Sequence, residues 1–220
     1  MKTRILLLCL ALLFPMAARA QWRVGATGGA GYNFFSMDRQ YLDDYRISGL
    51  WGGTAGISAQ YDFNSWLAVR ADLNWTQKNY RKYRHVLSDM DYRYRNDYLQ
   101  LPVMASLSAG GSFLRGFCNL GVYAGYWLAG LREGNDYNSF GSYAMTFEEK
   151  IVFNPESDQR WDFGLAGGLG LEYRITAHWA LQAEVRCYYS TVSTVKQYMR
   201  VKDYRYNTTL ATQLGVFYLF

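Results

Sequence analysis

The chain of 220 residues has an aromatic content of 18% and a formal net charge of +5 at pH 7. Residues 1–20 contain three basic residues and no acid, so without them the charge of +5 falls to +2, which gives no indication of a nucleic-acid partner. Beyond residue 20 the cysteines are Cys118 and Cys187, which excludes a disulfide framework and a C-x-x-C site, and no metal or cofactor is predicted.

The first 20 residues have the pattern of a secretory signal peptide. Basic residues precede an apolar run over residues 5–14, and Ala18-Arg19-Ala20 resembles a small-residue cleavage site. The run is too short for a spanning helix, which needs roughly 20 apolar residues. We therefore expect cleavage before Gln21, export through the inner membrane, and one domain over residues 21–220.

Apolar residues then recur at every second position. Over residues 67–77, Leu73 and Trp75 alternate with Arg70 and Asp72, a spacing that gathers the charges on one face of a strand. We predict eight such strands, an even number as in closed bacterial outer-membrane barrels, at residues 22–35, 50–61, 66–77, 98–108, 117–129, 161–174, 178–190 and 206–220.

The connections between these segments alternate in length. DFNSW, SAGGSFLRG and ITA are short, whereas residues 36–49, 78–97, 130–160 and 191–205 are long. Short periplasmic turns and long extracellular loops have this asymmetry. The sequence therefore predicts an all-β fold, an eight-stranded antiparallel transmembrane β-barrel in the outer membrane.

Aromatic residues of the outward parity lie near both ends of the strands. Outer-membrane barrels carry such girdles at the two water interfaces, and the ten steps from Trp51 to Tyr61 correspond to a band of about 23 Å. The last strand ends in GVFYLF, and we expect it to pair with the first, because an unpaired edge in hydrocarbon is costly. The predicted girdles contain Trp22, Trp51, Tyr61, Trp75, Tyr126, Trp161, Tyr173, Trp179, Tyr189, Tyr206, Tyr218 and Phe220.

Three features resemble the PorT-like outer membrane protein β-barrel family of Gram-negative bacteria. YLQLPV at residues 98–103 is similar to the family's Tyr-Leu-x-Leu/Ile-Pro strand, and the glycine-rich GATGGAGYNF and the final Phe220 also fit. The resemblance implies a barrel in the outer membrane and a connection with protein secretion across it. Pro102 cannot donate to a strand ladder, so we expect a bulge or local break there.

Charged residues of the inward parity predict a filled lumen. An eight-stranded barrel is just wide enough for side chains to fill, and unpaired charges in it would be costly. We predict a salt-bridged plug, with a thin ion-selective channel as the competing interpretation. Glycines on the inward parity of the first and sixth segments would make room for large neighbours. The predicted ionic cluster consists of Arg70, Asp72, Glu172, Arg174, Glu184 and Arg186.

An enzymatic alternative depends on His85. Lipid- or peptide-hydrolysing barrels use a histidine near the outer rim, and His85 precedes Ser88 and Asp89 in the second long loop. The other histidine, His178, falls in a short turn. The alternative lacks a His-x-Ser pair, so we predict no enzyme activity and no catalytic residue.

Basic residues interleaved with tyrosine occupy the second and fourth long loops. In an exported barrel they suit lipopolysaccharide phosphates or sugars, although pairing with the acidic third loop is an equal alternative. We predict a structural, surface-interaction or secretion-accessory protein with outer-membrane lipid, the barrel-assembly machinery and secretion components as partners, and a solute channel as a third possibility. The candidate contact residues are Arg81, Lys82, Arg84, Arg93, Arg95, Lys196, Arg200 and Lys202.

Overall fold

The computed structural model describes residues 21–37, 45–84, 90–137, 144–196 and 204–220, and the predicted signal peptide lies outside them. No described segment is a helix long and apolar enough to cross a membrane. The described strands are β1 (Gln21–Met37), β2 (Tyr45–Asp62), β3 (Leu67–Gln77), β4 (Tyr80–Arg84), β5 (Met90–Gly110), β6 (Leu114–Tyr137), β7 (Ala144–Lys150), β8 (Trp161–Arg174), β9 (Trp179–Ser190) and β10 (Arg205–Leu219).

Eight of these strands close into an antiparallel ring, in the order β1, β2, β3, β5, β6, β8, β9, β10. β10 pairs with β1 along its whole length, from Met37 opposite Arg205 to Arg23 opposite Leu219. When the paired residues are followed from Arg23 through each neighbouring strand in turn, the path comes back to β1 at Asn33, ten residues further along the chain. Such a stagger tilts the strands and closes the barrel. The predicted eight-stranded fold is confirmed.

The long connections differ from the prediction. β5 begins at Met90 rather than at residue 98, and β6 continues to Tyr137 rather than ending at residue 129. β4 and β7 also lie in regions predicted as loops. In these segments tyrosine alternates with arginine and acids, so neither face is apolar and the usual strand signal is missing. Cross-strand pairing with β2, β5 and β6 decides their structure.

These extensions form a curved sheet beyond the loop end of the barrel, which we call the wall. It comprises residues 33–37 of β1, 45–49 of β2, β4, 90–97 of β5, 130–137 of β6, and β7. Seven steps of ~3.3 Å along a strand tilted near 45° give it a height of about 16 Å. β8 begins at Trp161 and β9 ends at Ser190, so no strand extends this flank of the ring. Residues 151–160 and 191–196 continue beyond it and are joined by the bridge between Asp158 and Val195.

Pro102 interrupts the ladder on one side. The β3–β5 pairing is continuous up to Ala71 opposite Val103 and resumes at Asn74 opposite Gln100, so Pro102 lies in the gap. On the other side Pro102 stays in register with Tyr123 of β6, and the register shift of β5 lies four residues earlier, at Asp97 and Tyr98.

Burial alternates along the ring strands with the polar residues inside. In β9 all twelve positions alternate, and the buried ones include Gln182, Glu184 and Arg186, whereas Leu181 and Val185 are exposed. A soluble domain has the opposite arrangement, whereas a barrel in lipid turns its apolar side chains outward. The twelve girdle residues are exposed or half-buried, and several contact each other across strands, as Tyr126 and Trp161 do with ring centroids 5.0 Å apart.

Candidate functional site

A buried group of four charges crosses the middle of the lumen, and we call it the quartet. The Arg186 guanidinium contacts Asp72 at 2.5 Å and Glu184 at 2.7 Å. Arg70 contacts Asp72 at 2.8 Å and Glu184 at 3.3 Å. None of the four residues is more than 4% exposed. Two arginines therefore alternate with two carboxylates and leave no net charge.

A second ionic layer closes the lumen near the short turns. Arg23 contacts Asp62 at 2.5 Å and Glu172 at 2.6 Å, and Arg174 lies 3.5 Å from Glu172. Gln182 donates to Glu172 at 2.8 Å and accepts a hydrogen bond from a quartet arginine at 3.0 Å. Glu172 and Arg174, which the sequence assigns to one cluster with the quartet, thus lie in this separate layer.

A third ionic layer lies at the loop end. Lys78 contacts Asp162 at 2.5 Å, and Ser190 donates to the same carboxylate at 2.6 Å. The Lys78 ammonium also lies 4.9 Å from the ring centre of Tyr98 and 5.2 Å from that of Tyr123. Lys78 is 1% exposed and Asp162 3%. A cation on the β3 side of the ring therefore reaches across to the start of β8.

Sequence reasoning missed four members of these layers, Arg23, Asp62, Lys78 and Asp162. All have the inward parity, and each lies within three residues of a strand end. The signal that could have identified them is the alternation of inward and outward positions, followed beyond the apolar part of each segment. The parity of β3, for example, runs from Asp72 through Asn74 and Thr76 to Lys78, all of them buried.

Aromatic side chains fill most of the remaining space, and glycines admit them. Phe217 and Tyr188 are fully buried. A methyl group at Gly25 would lie 2.6 Å from the Phe217 ring, and one at Gly170 would overlap the ring of Phe117. At Gly168 a methyl group would collide with a quartet carboxylate. Small inward residues are therefore what allows large side chains to cross the lumen.

The predicted contact cations of the wall have different surroundings. Arg81 donates two hydrogen bonds to Asp91, at 2.6 and 2.7 Å, and this contact raises the pKa of the guanidinium. Arg95 lies 3.2 Å from Glu133, so one pair joins the second and third predicted loops. Arg93 is exposed and makes no ion pair with a described residue.

The other predicted contact cations either lie over an aromatic ring, donate to a backbone carbonyl, or lie outside the described residues. The ammonium of Lys82 and the guanidinium of Arg84 lie over the ring of Tyr45, at 4.2 and 5.3 Å, and Lys196 donates to the Pro155 carbonyl at 2.7 Å. A neighbouring stack joins three strands of the wall, with Tyr80 between Phe35 and Tyr94 at 4.1 and 4.5 Å. Arg200 and Lys202 lie outside the described residues.

The described residues contain one of the two histidines, His178. His85 and its neighbours Ser88 and Asp89 lie outside the described residues. His178 lies in a turn, where Nδ1 is 3.1 Å from the Leu219 carbonyl oxygen and the ring stacks on Tyr218. In the part of the chain that is described, no cluster of His, Cys, Asp and Glu could hold a metal ion.

A closed ring with an apolar outside and a charged, filled inside is the architecture of outer-membrane barrels, and the family comparison agrees. The model of the outer membrane protein beta-barrel domain matches residues 5–220. The chain belongs to this family. As a member of the outer membrane β-barrel family, it spans the outer membrane with its short turns toward the periplasm and the wall toward the outside.

The chain is similar to several solved outer-membrane structures. OprG from Pseudomonas aeruginosa is 15% identical with a TM-score of 0.51, and the match covers 90% of this chain and 95% of that one. A major outer membrane protein from Thermus thermophilus is 15% identical with a TM-score of 0.49, covering 91% and 99%. Ail of Yersinia pestis is 16% identical with a TM-score of 0.43, covering 91% and 99%. No curated protein matches the sequence significantly.

Proposed function

We propose that this barrel is a non-enzymatic outer-membrane protein with a closed lumen, and that it acts through the wall in surface interaction or as an accessory of secretion. In this proposal residues 1–20 are a cleaved signal peptide, the chain belongs to the PorT-like branch of its family, and the barrel-assembly machinery inserts it. The observation that carries the proposal is the contrast between a lumen crossed by three buried ionic layers and a wall whose ion pairs are partly exposed.

The closed lumen explains why transport is not the proposed role. Each layer joins residues from different sides of the ring, and the side chains of Arg186 and Asp72 are completely buried. An ion would have to separate all three layers in turn. We expect the purified protein to give no steady conductance steps in planar bilayers, and Arg186→Ala to remain silent because the other two layers persist. Steady steps from the unmutated protein would favour the channel alternative.

Surface interaction is the role that the wall favours. Phosphate groups are bound by exposed guanidinium groups, and Arg93 is exposed without an ion pair to a described residue. Lipopolysaccharide, whose phosphates and sugars lie at this height of the membrane, is therefore the partner we propose first, followed by secretion components. Nucleic acid is not a proposed partner.

Purification in mild detergent tests this partner. Arg93→Glu should lower co-purifying lipopolysaccharide at least three-fold, whereas Glu148→Lys, in the same cross-strand row of the wall, should retain or raise it. Equal amounts with both variants would argue against recognition by charge. Secretion proteins in place of lipopolysaccharide would identify the accessory role instead.

The hydrolytic alternative predicts a loss that our proposal does not. We expect His85→Ala to leave the lipid A pattern and the cleavage of surface peptides unchanged in cells that produce the protein, as His178→Ala should. Loss of either activity in His85→Ala, with normal barrel levels, would establish an enzyme.

A further inference from the structure

An apolar groove lies on the lipid-facing surface of the barrel, where β5, β6 and β8 run side by side. Its volume is about 420 Å³, which is within the range of sites that bind small molecules. At its centre is Ala124, whose cross-strand neighbours are Leu101 of β5 and Phe163 of β8. The small side chain of Ala124 leaves a depression between these larger neighbours. The groove is also lined by Val103, Val122, Leu165 and Thr191.

The groove lies just inside the outer aromatic girdle. Tyr126 and Trp161, whose rings contact each other, form the next outward-facing cross-strand pair above Ala124 and Phe163. Two residues along a strand correspond to about 6.6 Å, and to less along the membrane normal because the strands are tilted. The groove therefore opens into the outer half of the hydrocarbon region, and its occupant comes from the outer leaflet.

A cation without a carboxylate partner lies above the groove. The guanidinium of Arg160 lies over the ring of Tyr126, 4.5 Å from the ring centre, and over that of Phe153 at 4.2 Å. It donates hydrogen bonds to the carbonyl oxygens of Trp127 and Leu128, at 2.8 and 3.2 Å. Arg160 makes no ion pair with a described residue. The carbonyl groups thus hold the guanidinium in place without neutralising its charge.

A fixed positive charge above an apolar groove matches a lipid that carries negative charge on its headgroup. Any acyl chain can fill the groove, so the cation determines which lipid stays there. Guanidinium groups bind phosphate through charge-assisted hydrogen bonds. In the outer leaflet of the outer membrane, lipid A, the lipid portion of lipopolysaccharide, combines acyl chains with phosphate groups at the height of the girdle.

We propose that the groove holds one acyl chain of lipid A while Arg160 binds a phosphate of the same molecule. This inference deepens the lipopolysaccharide interaction proposed above and rests on it. The wall contacts the part of lipopolysaccharide outside the membrane, and the groove contacts the part inside. Because charge and shape act together, a lipid A molecule in this site stays bound when detergent removes the surrounding lipid.

Native mass spectrometry tests the site with barrel purified in mild detergent and supplied with lipid A that lacks the sugars of lipopolysaccharide. We expect one lipid A molecule per barrel. Ala124→Leu, which fills the groove, and Arg160→Gln, which removes the charge, should each lower bound lipid A at least five-fold. Arg160→Lys should retain more than Arg160→Gln because it keeps the charge.

Ala30→Leu is the matched control. Ala30 is also exposed on the outward face, and it lies two residues before Tyr32, whose ring contacts Trp51 of the girdle. This variant should bind lipid A as the unmutated barrel does. Unchanged binding by Ala124→Leu or by Arg160→Gln, or an equal loss in Ala30→Leu, would overturn the site. Displacement of lipid A by an equal concentration of phosphatidylglycerol would overturn the assignment to lipid A.

Two further readouts separate the possible causes of a loss. Circular dichroism distinguishes lost binding from lost folding, and if Arg160→Gln does not fold, Ala124→Leu decides, because it only adds apolar atoms at a lipid-facing position. The wall is judged from complete lipopolysaccharide. If Arg93→Glu loses lipopolysaccharide while Ala124→Leu keeps lipid A, the groove is wrong and the role of the wall stands. The reverse result supports the groove and contradicts the wall.

Discussion

The lumen and the wall contain the same kind of ion pair in different surroundings. Arg186 contacts Asp72 where both side chains are fully buried, whereas Arg81 contacts Asp91 with side chains that are 39% and 32% exposed. The distances are 2.5 and 2.6 Å, so geometry alone does not distinguish the two pairs. Burial does, because a buried charge that loses its partner has no water to replace it. The lumen pairs thus fix the structure, while the wall pairs can exchange partners.

Arg186→Ala tests the buried ion pairs of the lumen, for which we expect the largest effect. It leaves Asp72 and Glu184 with one arginine between them, and breaking a buried pair typically costs about 3–5 kcal/mol. The free energy of unfolding, measured by urea titration in lipid vesicles, should fall by that amount. Gln100→Leu, at a buried amide that makes no hydrogen bond to a described residue, is the control for loss of a neutral inward group. A loss no larger than that of the control would contradict a quartet that depends on charge pairing.

Two glycines of β1, one on the inward face and one on the outward face, test the contrast between a tightly filled lumen and a looser surface without involving charge. A methyl group at Gly25 would lie 2.6 Å from both the Phe217 ring and the Val216 carbonyl oxygen, whereas at Gly28 the nearest atom would be 3.9 Å away. Overpacking a filled interior costs about 1–3 kcal/mol. Gly25→Ala should therefore destabilise the barrel, and Gly28→Ala should not. Equal unfolding curves for the two variants would indicate a lumen that yields easily.

Arg81→Ala should have the smallest effect. Exposed ion pairs contribute about 0–1 kcal/mol and are screened by salt. We expect a change in unfolding free energy below about 1 kcal/mol that shrinks further at high salt. A salt-independent loss as large as that of Arg186→Ala would place the wall in the same energetic class as the lumen.

The alternation of apolar and polar residues made the strands of the ring predictable. The prediction failed where that alternation stops. Leu73 and Trp75 mark a lipid face, and the parity that they set correctly places Arg70 and Asp72 inside the lumen. The ten-residue stagger depends on how neighbouring strands slide, which a single strand does not encode, so Glu172 could not be separated from the quartet in advance. The wall escaped prediction because its strands have no lipid face.

The family comparison and the sequence both identify an outer-membrane barrel, and neither of them identifies the role of its surface. The match over residues 5–220 identifies an outer-membrane barrel, while the contacts that distinguish this chain, such as Lys78 with Asp162 and Arg95 with Glu133, join residues far apart in the sequence. Such pairs depend on tertiary arrangement and are not visible in any one motif.

The one-sided wall gives the molecule a direction within the membrane plane. Strands of the wall rise above the membrane from β1 round to β7, whereas beyond β8 and β9 the chain continues as residues 151–160 and 191–196, which pair with each other at Asp158 and Val195. Two copies in the same membrane would therefore present different profiles to a neighbour according to their rotation about the membrane normal.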